Sequence, residues 1–179
     1  SFGVIFTTDL VRGRRCFGAK IIPSRGAWIP FETDLEDVVS VKLDKYRKFP
    51  VTSFLRALGA ETNEDILKLF PNKVVKEALK KTLEKAQVTT VDEAYLDIYK
   101  RLRDGDLATL DNAKDFVDSI LDEERYDLSP VGRYKFNLRF GLPITDKDLE
   151  KRTVDLEDIV RIIEHAVVLN HTPDAQEDD

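Results

Sequence analysis

The apolar positions in the first fifty residues follow the two-residue period of β-strands. Val39, Val41 and Leu43 alternate with polar residues, so one face of this segment is expected to be buried and the other to meet water. Short segments rich in β-branched or aromatic residues, separated by turn signals, are typical of strands. Such segments occupy residues 2–6, 17–22, 28–32 and 38–43. The pattern predicts a small antiparallel sheet within residues 1–49.

From Pro50 onward the apolar residues recur at the spacing of amphipathic helices. Helices are predicted over residues 51–58, 63–70, 73–86, 94–103, 110–121, 130–140 and 154–169, with Thr62, Thr90, Thr109 and Ser129 as N-cap residues. The segment 154–169 is the most apolar and is expected to be central. The chain is therefore predicted to be one α+β domain over residues 1–179, with about six or seven helices within residues 50–171 and an acidic tail, 172–179, that frays.

Large apolar residues recur at every second position late in the chain, at Tyr134, Phe136, Leu138 and Phe140. We expect this helical segment to contribute to the core rather than to a ligand site. The tripeptide Arg125-Tyr126-Asp127 just upstream is predicted to be a structural turn.

Composition indicates a soluble globular protein. Of the 179 residues, 42% are hydrophobic, and no apolar run approaches the roughly 18 residues of a membrane helix. The absence of Met and of a signal-peptide pattern at the start suggests a piece of a longer polypeptide. Cys16 is the single cysteine and cannot form an internal disulfide, which suits a reducing cytoplasm.

Charge is distributed unevenly along the chain. Residues 1–56 hold ten Lys/Arg and six Asp/Glu, a net charge of +4, whereas residues 57–179 carry −10. The total of −6 argues against a protein that coats nucleic acid generally. The asymmetry favours one face for an anionic partner, although four excess charges are a small bias.

The candidate binding residues lie in the strand-rich part. Trp28 is the only tryptophan and follows a turn that contains Arg25 and Gly26. A basic run comes one hairpin later, formed by Lys45, Tyr46, Arg47 and Lys48. An aromatic ring beside cations can stack on a base while the cations hold its phosphates. The alternative is that Trp28 caps a small sheet core, as most lone tryptophans do.

Catalytic chemistry is not predicted. Asp104-Gly105-Asp106 has the look of a magnesium-binding aspartate motif, but helix termination explains it better, so no metal is expected. His165 and His171 are six residues apart and do not share one helix face for a zinc site. Arg14 and Arg15 could lower the pKa of Cys16, yet no catalytic partner for the thiol is evident. No catalytic residue is assigned, and an autonomous enzyme is not expected.

Several long strings resemble the lobe of the bacterial DNA-directed RNA polymerase beta subunit. IIPSRGAWIPFE and VKLDKYRKFPVTSFLRALG are followed in the right order by EAYLDIYKRLRDGD, RYDLSPVGRYKFNLRFGL and a terminal DD. The resemblance implies a non-catalytic wall of the DNA cleft in a nucleotidyltransferase of the bacterial cytoplasm. It implies as partners the beta-prime, alpha and omega subunits, sigma factor, and non-template and downstream DNA, with no membrane. Catalytic magnesium would lie in the partner subunit, and no cofactor in this chain.

The resemblance also assigns a finer role to the opening stretch. The family's tryptophan in this turn stacks on a flipped non-template base near the transcription start, and Trp28 stands at that position. The family's basic run usually has three arginines where this chain has Lys45, Tyr46 and Arg47, so Tyr46 puts one guanidinium contact in doubt. A stand-alone nucleic-acid-binding module, or a helical protein-interaction domain with Trp28 as a protein contact, remain the alternatives.

Overall fold

Five antiparallel strands form from the first fifty residues. The computed structural model describes residues 2–43 and 47–178. The strands are β1 Gly3–Val11, β2 Arg14–Ile22, β3 Ile29–Thr33, β4 Val39–Lys42 and β5 Lys48–Pro50. Each strand pairs with the next one in the chain, in the order β1-β2-β3-β4-β5. The predicted antiparallel sheet is therefore confirmed, and β1 lies at one of its edges.

The first hairpin is longer than the apolar pattern predicts. β1 and β2 pair over nine positions, from Gly3 opposite Ile22 to Val11 opposite Arg14. Arg12 and Gly13 turn the chain with φ of 51° and 80°, and two-residue turns with positive φ match the twist of the strands that they join. The predicted first strand ended at residue 6, whereas β1 continues to Val11 through polar residues, which an edge strand tolerates.

Helices make up most of the remaining described residues. The α-helices are α1 Val51–Ala57, α2 Asn63–Lys68, α3 Lys73–Lys85, α4 Val91–Leu102, α5 Leu110–Ile120, α6 Ser129–Arg139 and α7 Leu156–Asn170, with a short 3-10 turn at Asp148–Glu150. An N-terminal antiparallel sheet followed by these seven helices confirms the α+β fold class.

The predicted N-caps hold with one adjustment. The hydroxyls of Thr62, Thr90 and Thr109 each accept a backbone N–H three residues ahead, at 3.0 to 3.2 Å. Ser129 is instead the first residue of α6, and Leu128 occupies the cap position. The Ser129 hydroxyl still accepts the N–H of Gly132 at 3.3 Å. It therefore satisfies a backbone donor of the first turn, although it lies one residue after the cap position.

The core lies between the sheet and the helices. Helix α7 packs against β2, β3 and α3, and α6 packs against β1. The apolar residues of α7 that are at most 1% exposed are Ile159, Ile162, Ile163, Ala166 and Val167. The expectation that this helix is central is confirmed.

The expected apolar face of α6 is only half correct. Phe136 is fully buried and contacts Phe140 with ring centroids 4.9 Å apart, but Tyr134 and Leu138 are 40% and 57% exposed. Residues two apart on a helix are separated by about 200°, so four residues at that spacing cannot share one face. The buried side of α6 also includes Arg133, which is 1% exposed.

The acidic tail is bound to the edge of β1, so the expected fraying is wrong for its described part. The N–H of Asp178 donates to the carbonyl of Phe6 at 2.8 Å, and the Asp178 side chain accepts the N–H of Phe6 at 2.9 Å. Glu177 accepts the N–H of Thr8 at 3.0 Å. These contacts satisfy main-chain donors that an edge strand otherwise leaves open.

Candidate nucleic-acid interface

Trp28 is exposed at the end of the turn that joins β2 to β3. Its accessible fraction is 57%. Ile29 and Phe31, at the first and third positions of β3, are buried, so the period of the strand directs the preceding residue away from the core. The alternative that Trp28 caps a sheet core is therefore wrong. The ring offers an open aromatic face of the kind that can stack on a base.

The turn before Trp28 is bound to a distant part of the chain. Ser24 and Arg25 donate their backbone N–H groups to the carbonyl of Asp127 at 2.8 and 3.1 Å. Asp127 donates its own N–H to the carbonyl of Arg25 at 2.9 Å, which makes an isolated antiparallel bridge. The turn is thus fixed by main-chain hydrogen bonds rather than left as a free surface loop.

Gly26 allows this turn to lie flat on Tyr126. Its φ is +114°, and a Cβ built there would come within 2.7 Å of Cδ2 of the Tyr126 ring. Only glycine combines that backbone conformation with so close an approach. The structural turn predicted at residues 125–127 lies slightly earlier: Arg125 and Tyr126 donate their N–H groups to the carbonyl of Asp122, whereas Asp127 forms the bridge to Arg25. The segment that these residues support is the Trp28 turn.

Arg25 is held beside this turn with its charge accessible. Its guanidinium donates to the carbonyl of Glu123 at 2.9 Å and lies 3.9 Å from the Asp127 carboxylate. The side chain remains 58% exposed. An exposed guanidinium in a fixed position can bind a phosphate, although the neighbouring carboxylate reduces its field.

Strand register brings Arg47 to the same end of the sheet as Trp28. Phe31 pairs with Val41 and Val41 with Phe49, so the start of β3 and the start of β5 lie at one end, two strands apart. Neighbouring strands are about 4.8 Å apart, which puts the two strands roughly 10 Å from each other. The Arg47 side chain is 56% exposed.

Three arginines line an open hollow of about 590 Å³ at that end, together with the loop after α4. Each of them has an acidic neighbour: Arg47 lies 3.6 Å from Asp104, Arg101 lies 3.1 Å from Asp97, and Arg103 lies 2.9 Å from Asp106. The hollow is therefore polar and nearly balanced in charge, and it offers a smaller positive field than the arginine count indicates.

The Asp104-Gly105-Asp106 segment ends a helix, as predicted. α4 finishes at Leu102, and Gly105 has a φ of +90°. Its two carboxylates face arginines. Within the described ranges no three His, Cys, Asp or Glu side chains form a group that could hold a metal ion.

Of the remaining candidate binding residues, one forms an ion pair and two lie outside the part of the chain that the structure describes. Lys48 lies 3.3 Å from Glu32, so its ammonium is partly neutralised. Lys45 and Tyr46 lie outside the described residues. The structure thus groups Trp28 with Arg25 and puts Arg47 at the same sheet end.

Two other titratable residues are withdrawn from solvent to different degrees: Cys16 is buried and His165 is half-buried. Burial raises the pKa of the Cys16 thiol and outweighs the opposite effect of Arg14, so the predicted lowering by the arginines is wrong. His165 packs against the rings of Phe6 and Phe140, and burial, followed by the charge of Arg139, lowers its pKa.

None of the helices built from the described residues is long and apolar enough to cross a membrane.

The residues that support the Trp28 turn were not predicted from the sequence. Tyr126, Asp127 and Arg152 position the Trp28 turn from about a hundred residues away. No local pattern links those segments, so only the three-dimensional arrangement identifies them.

The sequence matches a known family across nearly its whole length. Residues 3–179 match the family described as RNA polymerase Rpb2, domain 2. The protein named DNA-directed RNA polymerase subunit beta from Clostridium botulinum (strain Hall) is 45% identical over 144 residues, which covers 76% of this chain and 11% of that protein. Its namesake from Clostridium perfringens (strain 13) is 44% identical over 146 residues, covering 80% of this chain and 12% of that protein.

The chain thus spans 11–12% of the length of these relatives. The match includes the Trp28 turn, the sheet and the described helices, and it confirms the resemblance to the bacterial polymerase beta subunit. The chain belongs to the RNA polymerase Rpb2 domain 2 family.

Proposed function

We propose that this chain is the lobe domain of a bacterial-type RNA polymerase beta subunit, and that it forms part of the wall of the DNA cleft. In this role Trp28 stacks on an unpaired base of the non-template strand. The observation that carries the proposal is the exposure of Trp28, 57% of its surface, on a turn bound to Asp127 and Tyr126.

Stacking supplies most of the interaction with DNA, and a few charged contacts supply the rest. A base stacked on an aromatic ring contributes about 1–3 kcal/mol irrespective of sequence. The arginines at the same sheet end have acidic neighbours, and the chain carries a net charge of −6. Phosphate contacts through Arg25, Arg47 and the basic run are therefore few, and the affinity of this chain for DNA is weak.

Catalysis belongs to the whole assembly. The proposed role assigns no catalytic residue and no cofactor to this chain, and it leaves the magnesium with a partner subunit. Beta-prime, alpha, omega and sigma factor are the proposed protein partners, and downstream DNA is a second nucleic-acid contact.

Fluorescence of Trp28 tests the contact directly, because the chain has one tryptophan. Titration with a single-stranded oligodeoxynucleotide is expected to quench the emission, and added salt is expected to weaken the binding. In the control variant Leu10→Ala the quenching of Trp28 is expected to be unchanged. Leu10 is also exposed, but it lies near the tip of the first hairpin. Quenching by a partner protein and none by DNA would support the alternative of a protein-interaction domain.

The role in promoter opening is tested in reconstituted polymerase. Trp28→Ala is expected to slow promoter opening and to leave elongation largely intact, because stacking matters most while the bubble forms. Charge reversal at Lys45 and Arg47 is expected to flatten the salt dependence of DNA binding. Equal loss of opening and elongation in Trp28→Ala would contradict the proposal.

A further inference from the structure

The geometry points to Asp127 as the positioning residue of Trp28: its backbone holds the turn, and its carboxylate fixes that backbone to Arg152 and to the start of α6. This inference deepens the proposed function and rests on Trp28 being the contact with the base. Asp127 itself touches no base and acts through the turn.

The backbone of Asp127 defines the path of the turn. Its carbonyl accepts three donors, the N–H groups of Ser24 and Arg25 and the Ser24 hydroxyl at 3.1 Å. Its N–H closes the bridge to Arg25. Since Trp28 follows three residues later, rotation of residues 24 and 25 would redirect the indole.

The carboxylate of Asp127 is bound from two further sides. Arg152 donates through Nε and a terminal nitrogen to the two oxygens, each at 2.7 Å. Ser129 donates its N–H at 2.7 Å. The bidentate hydrogen bond from Arg152 lowers the pKa of Asp127. The carboxylate therefore stays charged, and its contact with Arg152 persists well below neutral pH. The side chain of Asp127 is 13% exposed, whereas that of Arg152 is 41% exposed, so the carboxylate is the sheltered partner of the pair.

A third contact joins Arg152 to the same region. Its carbonyl accepts the N–H of Leu128 at 2.7 Å. The segment at residue 152 therefore holds both the side chain of Asp127 and the backbone of the next residue. Because Gly26 rests on the Tyr126 ring and Asp127 bonds to residues 24 and 25, Tyr126 and Asp127 both support the turn directly.

This arrangement explains how an exposed ring can be ready to bind. An indole on a mobile loop would lose conformational freedom on stacking, which reduces affinity. Fixing the loop in advance removes that loss. We therefore expect Asp127 and Arg152 to act on DNA affinity through the order of the turn, without a contact of their own.

Time-resolved fluorescence anisotropy of the single tryptophan measures that order without DNA. Asp127→Asn and Arg152→Gln are expected to increase the amplitude of fast local depolarisation, while the overall tumbling time and the circular dichroism at 20 °C remain as in the wild type. Affinity for the single-stranded oligonucleotide is expected to fall about two- to tenfold. Arg152→Lys keeps the charge but not the two-pronged geometry, and it should give an intermediate amplitude.

The control variant is Lys80→Gln, which removes a positive charge on α3, where Lys80 lies 3.6 Å from Glu77 in an exposed pair. Unchanged anisotropy in Asp127→Asn and Arg152→Gln would overturn the positioning role. If either variant fails to fold, Arg152→Lys decides the question by the same measurement. Changed anisotropy in a chain that binds no DNA would uphold the positioning and refute the proposed function, so the two failures are distinguishable.

Discussion

Arg133 of α6 and Asp158 of α7 form an ion pair that is hidden from solvent, with each side chain 1% exposed. The guanidinium donates to the two carboxylate oxygens at 3.1 and 2.9 Å. It also donates to the carbonyls of Lys151 and Thr153. The pair therefore fixes two helices and the segment between them in one arrangement.

Removing one partner of this pair is expected to destabilise the fold strongly. Asp158→Ala leaves a buried guanidinium unpaired, and the free energy of unfolding should fall by about 3–5 kcal/mol. Urea denaturation followed by circular dichroism measures the change. Glu157→Ala is the control, since its exposed pair with Arg161 is worth at most about 1 kcal/mol. Equal losses in the two variants would contradict the importance of the buried pair.

The Gly26 position is expected to reject a methyl group. Gly26→Ala brings Cβ to 2.7 Å from the Tyr126 ring at a φ of +114°, so backbone strain and a steric clash add. Gly13→Ala also has a positive φ, +80°, but nothing lies within 4 Å of its Cβ. Thermal unfolding should show Gly26→Ala to be less stable than Gly13→Ala by about 1–3 kcal/mol. Similar losses would show that the contact with Tyr126 relaxes freely.

The tail is expected to protect the backbone of β1. Asp178→Ala and Glu177→Ala remove the side-chain acceptors of the Phe6 and Thr8 amides. Hydrogen exchange of these two amides should become faster, by an amount equivalent to about 0.5–1.5 kcal/mol each. Gln176→Ala serves as the control, because its side chain bonds to the carbonyl of Asp174. Unchanged exchange would mean that the tail does not protect this edge in solution.

Stability is expected to decrease as His165 becomes protonated. Burial, and then the charge of Arg139, lower its pKa from 6.5, so the unfolded chain binds a proton at a higher pH than the folded chain does. The neutral His165 side chain therefore makes its full contribution to the free energy of unfolding above about pH 6.5, and this contribution is lost as pH falls through the folded-state pKa. Urea denaturation between pH 5 and 8 should show that the free energy of unfolding decreases as the pH is lowered.

Replacing the imidazole separates this effect from other titrations. His165→Gln is expected to flatten the pH dependence of the free energy of unfolding between pH 6.5 and 5. An unaltered slope in His165→Gln would assign the pH dependence to other groups.

Local patterns were sufficient for most of the fold. The Thr62, Thr90 and Thr109 caps followed from residue type and spacing, because a cap is satisfied within one turn of its own helix. The strand alternation at residues 39–43 likewise predicted β4. Ser129 departed from the predicted cap by one position: it has a φ of +66°, and its N–H donates to the carboxylate of Asp127.

Long-range contacts were the limit of prediction. Ile29 and Phe31 are apolar residues two positions apart, and Trp28 falls on the opposite face of the same strand period. The outward direction of Trp28 could therefore be predicted from the sequence. The support of the turn by Asp127 and Arg152 was not, because its segments are separated by more than a hundred residues. The same reason applies to the tail, whose partner on β1 lies 172 residues earlier.

That separation has a consequence for the order of folding. Every neighbouring pair of strands joins consecutive segments, so the sheet can assemble from local hairpins while the ribosome is still adding helices. The outer side of β1 must wait until residues 177 and 178 exist. Until then the outer side of β1 is an open template to which another nascent chain can attach, and the contacts of Glu177 and Asp178 remove that hazard.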